Sequence, residues 1–171
     1  MLNKSKYFLL IIIMSFFSTS VTSNYEELVY DFNFIDLDRF IENKTVKSIN
    51  VIFDEKGEQY FRDLEKESLN EIFKIDNMVL ASGGGTPCFS DNMQTMLVKG
   101  ICIYLKMESE DLAERLYKEK NNRPLIKNLS SKDLVDFISE KLMEREVFYK
   151  KAHHILPAKN ISKTDIIKLI S

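Results

Sequence analysis

Ile101-Cys102-Ile103-Tyr104-Leu105, bounded by Gly100 and Lys106, is an unbroken apolar run of strand length. Such runs belong to strands covered on both faces, as in a parallel sheet with helices on either side. Working outward, Leu112, Ala113 and Leu116 follow at helical spacing, and Met78 to Ala81 forms an earlier short strand running into Gly83-Gly84-Gly85. Phe61, Leu64, Ser68 and Ile72 recur every three or four residues, which predicts one amphipathic helix. Phe32 to Leu37 predicts a strand ending at Asp36, and Asp38 is expected to open a helix carrying Phe40 and Ile41. Toward the C-terminus, Ser131 to Lys151 places Leu134, Ile138 and Leu142 on one helix face, Ile155-Leu156 reads as a last strand, and Ile166, Ile167, Leu169 and Ile170 lie on a closing helix. Ser130 with Asp133, and Ser162 with Asp165, have the spacing of capping boxes. Strands alternating with helices predict an α/β fold built on a parallel sheet.

The chain has 171 residues, the size of one domain with one core. Apolar residues at 44% and charged residues at 29% are globular proportions that argue against disorder. A net charge of −2 gives no electrostatic case for nucleic acid or an acidic membrane surface. Cys88 and Cys102 lack any Cys/His spacing suited to zinc and read as buried thiols of a reducing compartment.

The N-terminus supports two readings. Lys4 and Lys6 precede an apolar run from Tyr7 to Phe17, and small polar residues fill Ser18 to Ser23, the layout of a secretory signal peptide. The run is short of the about 20 apolar residues that span a membrane. The competing reading is a buried first strand, Phe8 to Ile13, at the centre of the sheet. Periodicity does not separate the two, because buried parallel strands are continuously apolar.

Residues with chemical potential gather at the predicted strand ends. In open α/β sheets ligands bind beyond the carboxyl ends of the strands, where Asp36 and Asp38 fall. One carboxylate there suits a metal held through water, and the other can take a proton from a hydroxyl. For Asp38 the plainer alternative is a helix N-cap. Gly83-Gly84-Gly85 lets backbone approach a ligand closely, though a tight turn needs the same freedom. Arg62, Arg123 and Arg145 are candidate anion ligands, because guanidinium grips carboxylate and phosphate with paired hydrogen bonds. Taken singly, each arginine reads as a solvated surface residue. His153-His154, among apolar neighbours, reads as packing.

The combination is more specific than its parts. Ile35-Asp36-Leu37-Asp38, Ile52-Phe53, Gly57-Glu58, Phe61-Arg62-Asp63-Leu64-Glu65, Gly83-Gly84-Gly85, Tyr104-Leu105 and Arg123-Pro124-Leu125 stand in an order and spacing that resembles the shikimate kinases. Gly85-Thr86-Pro87-Cys88 followed by Asp91-Asn92-Met93 is similar to the version in Bacteroidetes members, and Arg145 with Tyr149 and Ala152 resembles the family's late arginine segment. The resemblance runs from about Phe32 onward, so residues 1–171 are expected to form one domain in which residues 1–31 diverge.

What the resemblance implies is a three-layer α/β/α kinase fold with a five-stranded parallel sheet in the order 2-3-1-4-5 and a mobile lid. It implies transfer of the γ-phosphoryl of ATP to the 3-hydroxyl of shikimate, with Mg2+, by a cytoplasmic monomer that binds neither nucleic acid nor membrane. On that alignment Asp38 contacts the reacting hydroxyl and assists its deprotonation, and Asp36 positions magnesium through water. Arg62, Arg145 and the turn Gly83, Gly84 and Gly85 hold shikimate. Arg123 reaches the transferring phosphate from the lid, and Arg115 is a candidate adenine-side partner.

One family feature is missing. A P-loop reads Gly-x-x-x-x-Gly-Lys-Ser/Thr, and its backbone N–H groups cradle the phosphates. The five glycines are Gly57, Gly83, Gly84, Gly85 and Gly100, and none is followed by lysine. Ungapped counting back from Asp38 puts Thr19 at the lysine position and Ser20 at the magnesium-binding hydroxyl, after Phe16 and Phe17. Three explanations remain: a divergent or decaying kinase whose first strand still packs in the sheet, a local sequence error over residues roughly 10–30, or a signal peptide joined to a kinase remnant; the last is disfavoured, because its processing would remove the central strand, so Phe8 to Ile13 is expected to be the first strand. The expectation is a shikimate kinase with reduced or lost turnover, and the alternative is a non-catalytic shikimate-binding pseudokinase.

Overall fold

The computed structural model describes residues 8–13, 33–119, 126–159 and 161–170. Five strands, β1 (Phe8–Ile13), β2 (Asn33–Asp36), β3 (Met78–Ser82), β4 (Ile101–Lys106) and β5 (His154–Pro157), form one sheet. Every pairing is parallel, in the order β2-β3-β1-β4-β5. The apolar run near the N-terminus is therefore the middle strand, with Leu10 opposite Leu80 on one side and Cys102 on the other. Among the described residues no helix is long and apolar enough to cross a membrane.

Burial explains the apolar strands. All five residues of β3 are buried, as are Cys102 to Leu105 of β4. The edge strand β5 alternates half-buried and exposed residues, because one of its faces meets solvent. His153 Nδ1 accepts a hydrogen bond from the Cys102 N–H at 3.0 Å, tying the segment before β5 to β4. Cys102 is buried, whereas Cys88 is only half-buried, which corrects the expectation of two buried thiols.

Five α-helices connect the strands among the described residues, α1 (Leu37–Thr45), α2 (Ile49–Ile72), α3 (Asn92–Lys99), α4 (Ser109–Glu119) and α5 (Ser131–Tyr149), and a sixth, α6 (Lys163–Ile170), follows β5. Ile41, Leu64, Ile72, Leu134 and Ile138 from these helices join the strands in a single apolar core. Ser130 Oγ accepts from the Asp133 N–H at 3.2 Å, and Ser162 Oγ from the Asp165 N–H at 3.3 Å, so both serines cap their helices; the reciprocal bond of a capping box, Ser162 N–H to Asp165 Oδ2 at 3.0 Å, forms at the second.

Two details differ from expectation. The cap of α1 is Asp36, whose Oδ1 accepts from the Arg39 N–H at 3.1 Å, so Asp38 lies inside the first turn and does not open the helix. The first acid meets the unpaired N–H groups of the helix start, and the second is left to face the strand ends. The helix expected from Phe61 is the second arm of α2, which begins at Ile49 and breaks at Gly57 (φ 80°, ψ 173°). Glycine reaches that left-handed φ without a Cβ clash.

Candidate active site

Asp38 and the end of β3 meet directly. A Cβ added to Gly83 would lie 3.6 and 3.7 Å from the two carboxylate oxygens of Asp38. Burial raises the Asp38 pKa to about 7, the nearby Asp36, Glu65 and Glu42 carboxylates push the same way, and Arg62 opposes them. A carboxylate poised near neutrality can accept a proton from a substrate hydroxyl, the task of a general base.

Arg62 enters from α2, held by two acids of its own helix. Its Nε and Nη2 donate to Glu58 Oε1 at 3.3 and 3.0 Å, and its Nη1 donates to Glu65 Oε2 at 3.1 Å. Glu65 is buried, and its second oxygen accepts from Thr86 Oγ1 at 2.6 Å. Burial raises the Glu65 pKa, while Thr86 and Arg62 act against that rise. Three of the five guanidinium N–H groups thus bond to Glu58 and Glu65, and no other acceptor among the described residues takes the remaining two.

The glycine turn serves proximity rather than unusual backbone angles. Gly57 is the glycine with positive φ among the described residues, and Gly85 has φ −78°. A Cβ on Gly85 would come within 3.0 and 3.2 Å of the Arg62 Nη atoms, so glycine there admits the guanidinium. Gly84 offers its carbonyl to the Tyr149 hydroxyl and, at 3.7 Å, to the Cys88 thiol. Tyr149 is buried at the end of α5, its ring 5.1 Å from that of Tyr104 on β4. Arg145, one turn earlier on α5, lies within hydrogen-bonding reach of the Tyr149 hydroxyl. Burial raises the Cys88 thiol to about 11 against the pull of Arg145 and Arg62, so it stays protonated at neutral pH.

The structure therefore gathers Asp38, Arg62, Gly83, Gly84, Gly85 and Arg145 around the carboxyl ends of β2 and β3. Asp36 caps α1 beside them. Arg115 is on an exposed face of α4, and no bond among the described residues ties it to this group. Thr19, Ser20 and Arg123 lie outside the described residues.

Two contributors escaped the sequence reading. Glu65 stands three residues after Arg62, a spacing that puts both on one helix face and could have flagged the pair. Phe89 places its ring 3.7 Å below the Arg62 guanidinium carbon, a contact for which a loop sequence carries no periodic signal.

Paired acids at a strand end, a close glycine turn and two arginines, beyond the carboxyl ends of a parallel sheet, suit a small anionic ligand. Comparison with known proteins narrows the class. The family model for shikimate kinase matches residues 28–171. Shikimate kinase from Phocaeicola vulgatus is 45% identical over 126 residues, spanning 74% of this chain and 72% of that protein. The Parabacteroides distasonis shikimate kinase is 41% identical over 135 residues, spanning 78% of each. The crystal structure of shikimate kinase from Bacteroides thetaiotaomicron superposes with a TM-score of 0.82 at 30% identity over 96% of both chains. That of Acinetobacter baumannii shikimate kinase in complex with shikimate gives 0.77 at 30% identity, over 98% of this chain and 91% of the other. The chain belongs to the shikimate kinase family.

Shikimate kinases use ATP as co-substrate and Mg2+ as cofactor. Asp36 and Asp38 are the carboxylates that would hold magnesium, since Mg2+ in phosphoryl-transfer sites needs only one or two besides phosphates and water. The nucleotide side does not fit in the same way, since no glycine of the chain is followed by lysine.

Proposed function

We propose that this chain binds shikimate and phosphorylates its 3-hydroxyl, at a rate reduced by the missing phosphate loop. The observation that carries the reading is the pairing of an acid raised to about 7, Asp38, with a preformed carboxylate grip, Arg62, across the same glycine turn. Arg62, with Arg145, binds the carboxylate and fixes which hydroxyl faces Asp38. Asp38 accepts that hydroxyl's proton, and Gly83 and Gly84 allow the ring to approach the backbone. Asp36 serves magnesium through water, with Ser20 as the candidate hydroxyl ligand. Arg123 and Arg115 are the cations assigned to the phosphates and adenine, with Thr19 at the position of the family's lysine. ATP supplies the transferred phosphoryl group, and Mg2+ offsets the charge of its phosphates.

The same reading takes residues 1–171 as one P-loop-kinase-like domain, a monomer acting in the cytoplasm, where its nucleotide is found. The central position of Phe8–Ile13 supports it, because removal of those residues as a signal peptide would take away the middle strand. A coupled assay with ATP and shikimate, run beside calorimetry with shikimate alone, is the test. Turnover supports the kinase; binding without turnover points to a pseudokinase, and no binding refutes the site.

A further inference from the structure

We infer that Phe89 is a positioning residue for the substrate carboxylate, acting through Arg62; the inference rests on the proposed function and deepens it. The guanidinium carbon stands 3.7 Å from the centroid of the Phe89 ring, against 5.1 Å from that of Phe61. At that distance the ring's electron-rich face attracts the cation. Glu58 and Glu65 hold Arg62 by its N–H groups and so fix its edge, whereas a ring beneath it fixes its plane. The distinction matters for a site that binds an anion. A third carboxylate would occupy another N–H and repel the incoming carboxylate, in a pocket that already holds Asp38, Glu58 and Glu65. An aromatic face stabilises the cation without using a donor or adding negative charge.

The platform under Arg62 is itself fixed. Thr86 bonds to Glu65 of α2 at 2.6 Å, and the buried Asn92 side chain donates to the Thr86 carbonyl at 3.0 Å. Asp91 pairs with Lys66 of α2 at 2.7 Å, and Asn92 N–H reaches back to the Phe89 carbonyl at 3.3 Å. Ser90, at φ 53°, turns the chain between Phe89 and α3. The segment from Thr86 to Asn92 is thus bound to α2 on both sides of Phe89, and the ring is held against the helix that carries its arginine. With its side chain only 12% exposed, Arg62 has little room to leave the ring.

The test is calorimetry of shikimate and of its uncharged methyl ester with the parent chain, Phe89→Leu and Phe89→Trp. Phe89→Leu keeps apolar bulk and removes the π face, so shikimate affinity should fall by about 3- to 30-fold. Binding of the ester should change by less than about twofold, because the ester lacks the charge that Arg62 reads, and Phe89→Trp should bind shikimate as the parent does. Equal losses for acid and ester would show a packing role and overturn the inference, as would unchanged acid binding in Phe89→Leu. If Phe89→Leu does not fold, Phe89→Met takes its place in the same comparison. A parent chain that binds no shikimate overturns the proposed function and this inference together; a parent that binds while the variants match it overturns this inference alone.

Discussion

Asp36 and Asp38, on either side of Leu37, are held against different partners by the same helix start. Asp36 commits Oδ1 to the Arg39 N–H at 3.1 Å and caps α1. Asp38 turns to Gly83 with its pKa raised to about 7 by burial and by its acidic neighbours. The first acid closes the helix start, and the second is left able to exchange a proton.

Asp38 should make the folded protein more stable in acid than at neutral pH, as far as this residue alone is concerned. Its folded value lies above the ordinary 3.8, so the native state holds a proton that the unfolded chain has released between about pH 4 and 7. Its contribution is complete below about pH 4 and is lost as pH rises through about 7. Thermal unfolding of the magnesium-free protein, compared with Asp38→Asn, reads this directly. The Asn variant should gain stability relative to the parent as pH climbs from about 4 to about 8, while turnover disappears. A difference between parent and variant that does not vary with pH would contradict it.

Replacing Arg62 or Arg145 by alanine should weaken shikimate binding by about 1.5–3 kcal/mol each, the scale of a charge-assisted hydrogen bond. Arg62→Ala also leaves the buried Glu65 without its cation, so its melting temperature should fall as well. Calorimetry and thermal unfolding on the same samples separate the two effects. Unchanged affinity in both variants would remove the arginines from the site.

Gly85→Ala should mimic a partial loss of Arg62. Its Cβ would come within 3.0 Å of Nη1, tighter than nearly all such contacts, so the guanidinium would have to give by a few tenths of an ångström against Glu58, Glu65 and the Phe89 ring. Shikimate affinity should drop while the backbone angles, φ −78° at Gly85, tolerate alanine. A fully retained affinity would show that Arg62 moves without cost.

The strands were legible because burial on two faces leaves a plain apolar signature, as in Ile101–Leu105 and Met78–Ala81. Ser130 and Ser162 were legible as caps for a similar reason, since the capping box is local chemistry. The division of labour at Asp36-Leu37-Asp38 was not, because either acid can cap a helix and only the packing of Asp38 against β3 decides between them. Glu65 was not singled out, because its spacing from Arg62 does not reveal that it is buried and bonded to Thr86, twenty-one residues away in the chain. Phe89 gave no signal at all, since a lone loop aromatic acquires its role only when α2 brings Arg62 over it.

The missing phosphate loop yields the most direct prediction. With Thr19 at the lysine position, the pattern Gly-x-x-x-x-Gly-Lys puts its glycines on Ile13, the last residue of β1, and on Ser18. β1 pairs through Ile12 with Ser82, next to the glycine turn, so β1 ends on the side of the sheet where the acids and Arg62 gather. Restoring the chemistry with Ile13→Gly, Phe16→Gly, Ser18→Gly and Thr19→Lys supplies both the backbone freedom and the cation. Loss of one such electrostatic donor commonly costs about 10²–10³ in turnover, so the restored chain should gain at least that order over the parent. Shikimate affinity should stay unchanged, because Asp38, Arg62 and Arg145 are untouched. A restored variant that folds and binds shikimate but transfers no phosphoryl group would place the defect beyond the loop, in the remaining residues that the nucleotide needs.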